Sequence, residues 1–387
     1  MPCDYCGNNP VPHHLVKGQE ALSIITAPFD RLAKKLGLRK IIDPLTIKLL
    51  PGIINVLEKI KVVSFNDDIN KVLTTRSKVI WQEAKNRGIK MQQLVIFGRK
   101  SDFYRAEING KLTYFESLPI PLSMATESQD WLDDKVKLKE KLLAAGLPAS
   151  RGGGFKYWKE MLKVFRMLRK PVIIKPALGS RGRHTTTYIY NEDQLKKAFK
   201  VGKQIADKLV MEEHLFGSVY RGTIVNGKLV GVLRGDPPRI TGNGVSNIKE
   251  LVEIKNKNKH SSVHDVVLTG YIEEFLARNN YTPETVLPKG KTIDLLEKIG
   301  IGYGGYKAEE IEIIHPKTKE ILERVGALID APVMGFDFII PDITADPDNQ
   351  FWGIIECNSL PFIDLHHFPL EGKPINVAGH IWDLWGK

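Results

Sequence analysis

"PVIIKPALGSRGRHTTTYIY", residues 171–190, is the stretch on which the fold turns. A β-branched run ends on Lys175, a loop with Gly179, Ser180, Arg181, Gly182 and Arg183 follows, and a second β-branched run opens near Thr185. The pattern predicts two strands joined by a glycine-rich basic turn. A lysine leaving a buried strand beside unblocked backbone amides and arginines offers the charge and N–H donors that phosphate oxygens need. A solvent-facing basic hairpin has the same composition, so this stretch alone leaves both readings open.

Two later stretches bear on the choice. In "GFDFIIPDITADPDNQFWGIIECNSLPFIDLH", residues 335–366, Asp337 sits in one apolar strand, while Glu356 and Asn358, two apart, share one face of another. Cys357 then points to the opposite face. Carboxylate and amide oxygens at strand ends are hard ligands suited to Mg²⁺, although acidic strand ends are common without metal. In "KLVMEEHLFGSVYRGTIVNGKLVGVLRGDPPRI", residues 208–240, a strand ends in Glu212 and Glu213, whose carboxylates can accept hydrogen bonds from an adenine amino group or a ribose hydroxyl. The following hairpin, turning at Asn226-Gly227, places Arg221 and Arg234 on neighbouring strands, where they can clamp an anion or form surface salt bridges.

Upstream, residues 21–60 read as amphipathic helices broken at Pro28, Pro44 and Pro51. From Val62, "KVVSF", "SKVIWQEAKNRG" and "QQLVIFG" alternate strand, helix and strand, and "FYRAEINGKLTYFESLP" is a hairpin around Asn109-Gly110. Together they predict a small α/β domain. "DWLDDKVKLKEKLLAAGLPA" is a helix with Asp130 near its start and Gly146 and Pro148 at its end.

The chain has 387 residues, 42% of them hydrophobic, which suffices for a large core and more than one domain. Its net charge of +11 suits an acidic partner such as a nucleotide, an acidic substrate, nucleic acid or anionic lipid, or is solvated surface lysine. The N-terminus "MPCDYCGNNPVPHH" has no apolar h-region, and the apolar run "LTIKLLPGIINVL" is too short for a bilayer and is interrupted by Lys48 and Pro51. A cytoplasmic protein without a signal peptide or transmembrane segment is expected. Three cysteines are too few for a disulfide framework. Cys3, Cys6, His13 and His14 have the ligand types of a small structural Zn²⁺ site or form an incidental polar terminus.

The order of these motifs resembles the ATP-grasp superfamily, most closely the ATP-grasp half of cyanophycin synthetase and more distantly D-alanine:D-alanine ligase. The resemblance covers roughly Asp130 to Leu370. It implies an α+β ATP-grasp fold, two α+β subdomains gripping ATP, preceded by a small α/β pre-ATP-grasp domain. On this reading residues 1–20 are a polar CxxC/HH segment, 21–129 a helical segment plus the small N-terminal domain, and 130–387 the ATP-grasp domain, with its lid-bearing part over 130–208 and its metal-bearing core over 209–387. The resemblance assigns ATP binding to Lys135, Lys175, Gly179, Ser180, Arg181, Gly182, His184, Glu212 and Glu213, and Mg²⁺, two ions, to Asp337, Glu356 and Asn358. It assigns catalytic roles to Lys175, Arg221 and Arg234. In D-alanine:D-alanine ligases an arginine precedes the metal aspartate by two; Gly335 stands there, so Arg234 takes the expected oxyanion-stabilising role. "YRGTIVNGKLVGVLRGDPPRITGNGVSNIKELVEIKN" and "GYGGYKAEEIEIIHPKTKEILERVGALIDAPVMGFD" carry the likeness to cyanophycin synthetase. That enzyme continues into a Mur-ligase-like half absent from this sequence, so synthesis of the whole polymer is not expected.

The activity implied is ATP-dependent carboxylate–amine ligation on amino acids or peptides, acidic ones included in view of the net charge, with no nucleic-acid partner expected; similar enzymes are homo-oligomers. A ligase that modifies a protein or ribosomal peptide, and a non-catalytic ATP-binding scaffold associated with nucleic acid, are the alternatives. His366 and His367, after the metal strand, line the substrate pocket or serve packing.

Overall fold

A computed structural model describes residues 3–7, 10–17, 38–124, 131–178 and 182–386. The chain divides into two compact units. One comprises Met1–Lys17, Thr126–Pro361 and Phe368–Ile375; the other comprises Gly18–Ala125, Phe362–His367 and Asn376–Lys387. The sequence assigned 130–387 to one body, but two C-terminal segments belong with the N-terminal domain instead.

That domain is built on β1 (Val63–Asn66), β2 (Met91–Ile96), β3 (Arg99–Ile108) and β4 (Lys111–Glu116), ordered β1-β2-β3-β4 with every pairing antiparallel. The expected α/β pattern is therefore corrected to α+β. Alternation of strand and helix in sequence does not fix the direction in which the next strand enters. Asn109 and Gly110, at φ of 52° and 72°, supply the left-handed pair of a type I′ turn between β3 and β4. Trp81, Tyr104, Phe115 and Trp382 form a chain of aromatic contacts in this core, and Trp382 Nε1 donates to the Ile80 carbonyl at 3.0 Å. Trp382 comes from the helix Val377–Asp383, close to the end of the chain.

A second correction concerns the prolines. One helix, Leu38–Lys59, runs through both Pro44 and Pro51. Each proline removes a backbone donor, but Leu50, Ile54 and Leu57 pack with Val63 and Leu94, and this tertiary contact outweighs local propensity. Pro28 lies outside the described residues.

The first unit holds two larger sheets. β5 (Gly152–Phe155), β6 (Val172–Pro176), β7 (Thr186–Ile189) and β8 (Leu209–Glu213) form an antiparallel sheet in the order β5-β8-β6-β7. The helices Trp158–Phe165 and Glu192–Gly202 cover it through Met161, Phe165, Leu195 and Ala198. Because β8 completes this sheet, the expected cut at residue 208/209 falls instead beyond Glu213.

β9 (Ser218–Val225) and β10 (Lys228–Asp236) follow as a hairpin, and β11 (Arg239–Thr241) and β12 (Thr292–Asp294) make a two-stranded ribbon. β13 (Tyr306–Glu309), β14 (Val333–Ile340) and β15 (Gly353–Asn358) complete an antiparallel sheet ordered β13-β10-β9-β14-β15. On one face Tyr220, Ile224, Phe336, Phe338 and Cys357 meet Leu322 and Val325 of the helix Pro316–Ile329 and Leu138 and Leu142 of the helix Lys135–Ala144. The other face carries Arg221, Asp337, Glu356 and Asn358 among its side chains. Among the described residues no helix is long and apolar enough to cross a membrane.

Candidate active site

Register decides which side chains meet on the polar face. Asp337 stands opposite Arg221 on β9 and opposite Glu356 on β15, and directly opposed residues share a face. Asn358, opposite Gly335, joins them. Cys357 alternates to the other side and is buried in the apolar core, as the sequence predicts; burial pushes its thiol pKa up. Arg221 grips Asp337 with two bonds, Nε to Oδ1 at 2.8 Å and an Nη to Oδ2 at 2.9 Å. Gly335 is held to glycine by its surroundings, since a Cβ there would lie 2.8 Å from the Pro361 side chain.

Two lysines from the smaller sheet and its flanking helix reach β15. Lys135 opens its helix behind Asp134, which caps it by accepting from the Val136 N–H at 2.9 Å. The sequence placed this helix start near Asp130, which lies outside the described residues. The buried Lys135 ammonium sits 3.2 Å from Glu356 Oε2. Lys175, at the end of β6, donates to the Ile355 carbonyl at 3.2 Å and pairs with Glu212 Oε1 at 2.5 Å. Lys139, one turn after Lys135, pairs with the other Glu212 oxygen and donates to the Ser150 carbonyl at 2.7 Å.

Glu212 is thus enclosed by two ammonium groups. Burial acts to raise its pKa, but the Lys175 and Lys139 charges outweigh it and hold the group at about 2. Burial lowers the Lys139 pKa, Glu212 opposes this, and Lys175 adds to the lowering. The trio carries one net positive charge in a desolvated place, an arrangement that an incoming anion relieves. Glu213 accepts from the Arg169 N–H at 3.1 Å. Lys139 was not among the residues singled out from sequence: it is one lysine among several in "DDKVKLKEK", and only the fold reveals that it points inward.

Asp337, Glu356 and Asn358 present two carboxylates and an amide on one face, the hard oxygen donors that Mg²⁺ takes. Asn358 Nδ2 is buried and has no hydrogen-bond partner among the described residues. A carboxylate retains lone pairs after accepting two hydrogen bonds, so the salt bridges to Arg221 and Lys135 leave acceptor capacity. The residues fit a divalent cation.

Two expected site residues are elsewhere. Arg234 pairs with Tyr220, which stacks on Phe338 at 5.4 Å on the core face, so it lies across the sheet from Asp337. There it bonds Asp236 at 2.6 Å and Glu310 at 3.5 Å. His184 is wholly buried and turned toward Cys3, Cys6 and His13, away from any role as a phosphate contact in an open lid. His14, expected beside those cysteines, is exposed. Gly182 is exposed at φ of 73°, while Gly179, Ser180 and Arg181 lie outside the described residues. His366 and His367 fall in the other unit, where His367 Nε2 accepts from the Ala378 N–H at 3.2 Å.

No protein-family model matches the chain. Cyanophycin synthetase of Geminocystis herdmanii (strain PCC 6308) is 31% identical over 260 residues, which is 65% of this chain and 30% of the relative. The glutathione biosynthesis bifunctional protein of Clostridium perfringens (strain 13 / Type A) is 26% identical over 321 residues, covering 81% of this chain and 41% of the relative. The chain therefore spans less than half the length of either. A crystal structure of a bifunctional glutathione synthetase from Pasteurella multocida shares the fold, with a TM-score of 0.52 and 22% identity over 80% of this chain and 44% of that one.

Proposed function

We propose that the chain, which shares its α+β fold with a bifunctional glutathione synthetase, is an ATP-grasp enzyme, an ATP-dependent carboxylate–amine ligase acting on amino acids or peptides. The observation that carries the reading is the convergence on β15: Lys135 meets Glu356 and Lys175 meets the next backbone carbonyl, both at 3.2 Å, beside the Asp337–Asn358 face. Phosphate-binding cations and cation-binding oxygens are thus one contact apart.

Lys135 and Lys175 bind the α- and β-phosphate oxygens, and Glu212 keeps the Lys175 ammonium in place before nucleotide arrives. Asp337, Glu356 and Asn358 hold Mg²⁺, which when bound neutralises charge on the β- and γ-phosphates. A substrate carboxylate oxygen attacks the γ-phosphorus and ADP leaves with the electrons of the broken P–O bond. The amine of the second substrate then attacks the acyl carbon, loses a proton, and expels phosphate as the amide forms. On this reading Arg221, which shares the Asp337 face as Arg234 does not, offsets negative charge on the reacting oxygens. The expected closure of the glycine-rich segment after Lys175 over the γ-phosphate, which keeps water from an acyl phosphate, falls on Gly179, Ser180 and Arg181, outside the described residues.

The test is incubation with Mg-ATP, pooled amino acids and short acidic peptides, followed by ADP release and mass spectrometry, with Glu356→Ala as control. An acceptor-dependent product of one condensation, absent in the control, is expected. Undiminished product from Glu356→Ala, or ATP binding with no acceptor-dependent ADP from any supplied substrate, overturns the proposal for this substrate class.

A further inference from the structure

The buried histidine that left the expected lid has an environment of its own. His184 Nε2 lies 3.6 Å from Cys3 Sγ and 3.4 Å from Cys6 Sγ, and Cys6 Sγ lies 3.4 Å from His13 Nε2. All four ligand atoms are within 4.8 Å of one another. A tetrahedral zinc ion with Zn–S of about 2.3 Å and Zn–N of about 2.05 Å sets its S···N edges at about 3.6 Å. Three separate sulfur–nitrogen distances match that edge.

Hydrogen bonding does not account for the cluster. His184 Nδ1 is 2.8 Å from the Val201 carbonyl, which can only accept, so Nδ1 carries the ring proton and Nε2 offers a single lone pair. Two thiols cannot both donate to it, whereas one metal ion can share it with two thiolates. Fixing one ring nitrogen by a backbone carbonyl is also how proteins commonly orient a metal-binding imidazole.

The surrounding chain is built to hold this shape. Cys3 to Cys6 forms a tight turn, with the Cys6 N–H on the Cys3 carbonyl at 2.9 Å, and Gly7 leaves it at φ of 62°. A Cβ at Gly7 would come within 2.8 Å of the Tyr303 hydroxyl. Lys298 donates to the Asp4 carbonyl at 3.0 Å, Tyr5 donates to Glu274 at 2.9 Å, and the His184 N–H reaches the Tyr5 carbonyl at 3.0 Å.

We propose that Cys3, Cys6, His13 and His184 bind one Zn²⁺ ion in a closed structural site that fastens the N-terminal turn to the C-terminal base of the glycine-rich segment. Four protein ligands leave no open position for substrate. The site stands whether or not the ligase reading does, because its readout is metal content.

The experiment uses the full chain, purified under reducing conditions with added zinc and then desalted. Elemental analysis is expected to give one zinc per chain, lost in Cys6→Ser and His184→Gln and retained in His14→Gln. Because His184→Gln removes a buried side chain, the wild-type chain loaded with Co²⁺ gives a second reading: tetrahedral d–d bands with thiolate-to-cobalt charge transfer are expected. Zinc-free wild-type protein, a Cys3–Cys6 disulfide in its place, a full zinc complement in His184→Gln, or an octahedral cobalt spectrum without thiolate bands overturns the proposal.

Discussion

Glu212 illustrates how one buried side chain can set the state of two others. Its carboxylate holds Lys139 and Lys175 in a region closed to water, so Glu212→Gln leaves two ammonium groups facing a neutral amide. A loss of about 3–5 kcal/mol in urea unfolding at neutral pH is expected, as for other broken buried ion pairs. The pH dependence has a definite sign. Folding depresses this pKa from 4.5 to about 2, so the contribution is present above 4.5 and disappears as pH falls through about 2. The stability difference between wild type and Glu212→Gln should shrink across that window. His214 behaves differently, since burial lowers its pKa from 6.5 to about 4. The neutral ring is favoured in the fold, and its contribution declines as pH falls from 6.5 toward 4. His214→Phe should flatten that part of the pH–stability curve.

At the scale of elements, the hairpin β9–β10 explains both a success and a failure of sequence reading. Asn226 and Gly227, at φ of 49° and 76°, form the turn that the sequence announces. The register then slips between Leu229 and Gly231, leaving Val230 as an extra residue. Simple counting from the turn puts Arg234 opposite Val219, on the face of Arg221; the bulge moves it opposite Tyr220, on the core face. No local signal in "NGKLVGVLRG" marks the slip. The strand-end position of Lys175 and the shared face of Asp337, Glu356 and Asn358 were legible because strand alternation and strand ends are local properties. Lys139 and His184 were not, since their partners come from distant segments. The resulting prediction separates Arg234 from the Asp337 face. Asp337→Asn should lower kcat by about 10³-fold with unchanged far-UV circular dichroism, the scale of losing one preorganised charge at a reacting centre. Arg234→Met should instead lower stability by about 1–3 kcal/mol while kcat stays within about threefold; a collapse of kcat comparable to that of Asp337→Asn would return Arg234 to the reaction.

For the whole molecule, the division into units is interleaved along the sequence. The aromatic core of the N-terminal domain closes only with Trp382, which is fully buried and bonded to Ile80. Trp382→Ala should destabilise that unit by about 3–5 kcal/mol through the cavity it leaves, seen as a lowered transition in calorimetry. The unit with the two larger sheets takes in Cys3, Tyr5 and Cys6, which lie on the far side of the N-terminal domain in sequence. Expression of residues 126–361 alone should therefore give a less stable body than the intact chain, measurable by limited proteolysis.

Trp382 also carries a kinetic consequence. A contact that joins position 80 to position 382 closes a very long loop, and closure entropy is met before the contact stabilises anything. The domain whose four strands, β1 to β4, come first along the chain is accordingly the one whose core is finished later in synthesis. Until that helix arrives, Trp81, Tyr104 and Phe115 form an incomplete apolar surface, the kind of intermediate that chaperones hold and that aggregates when they do not.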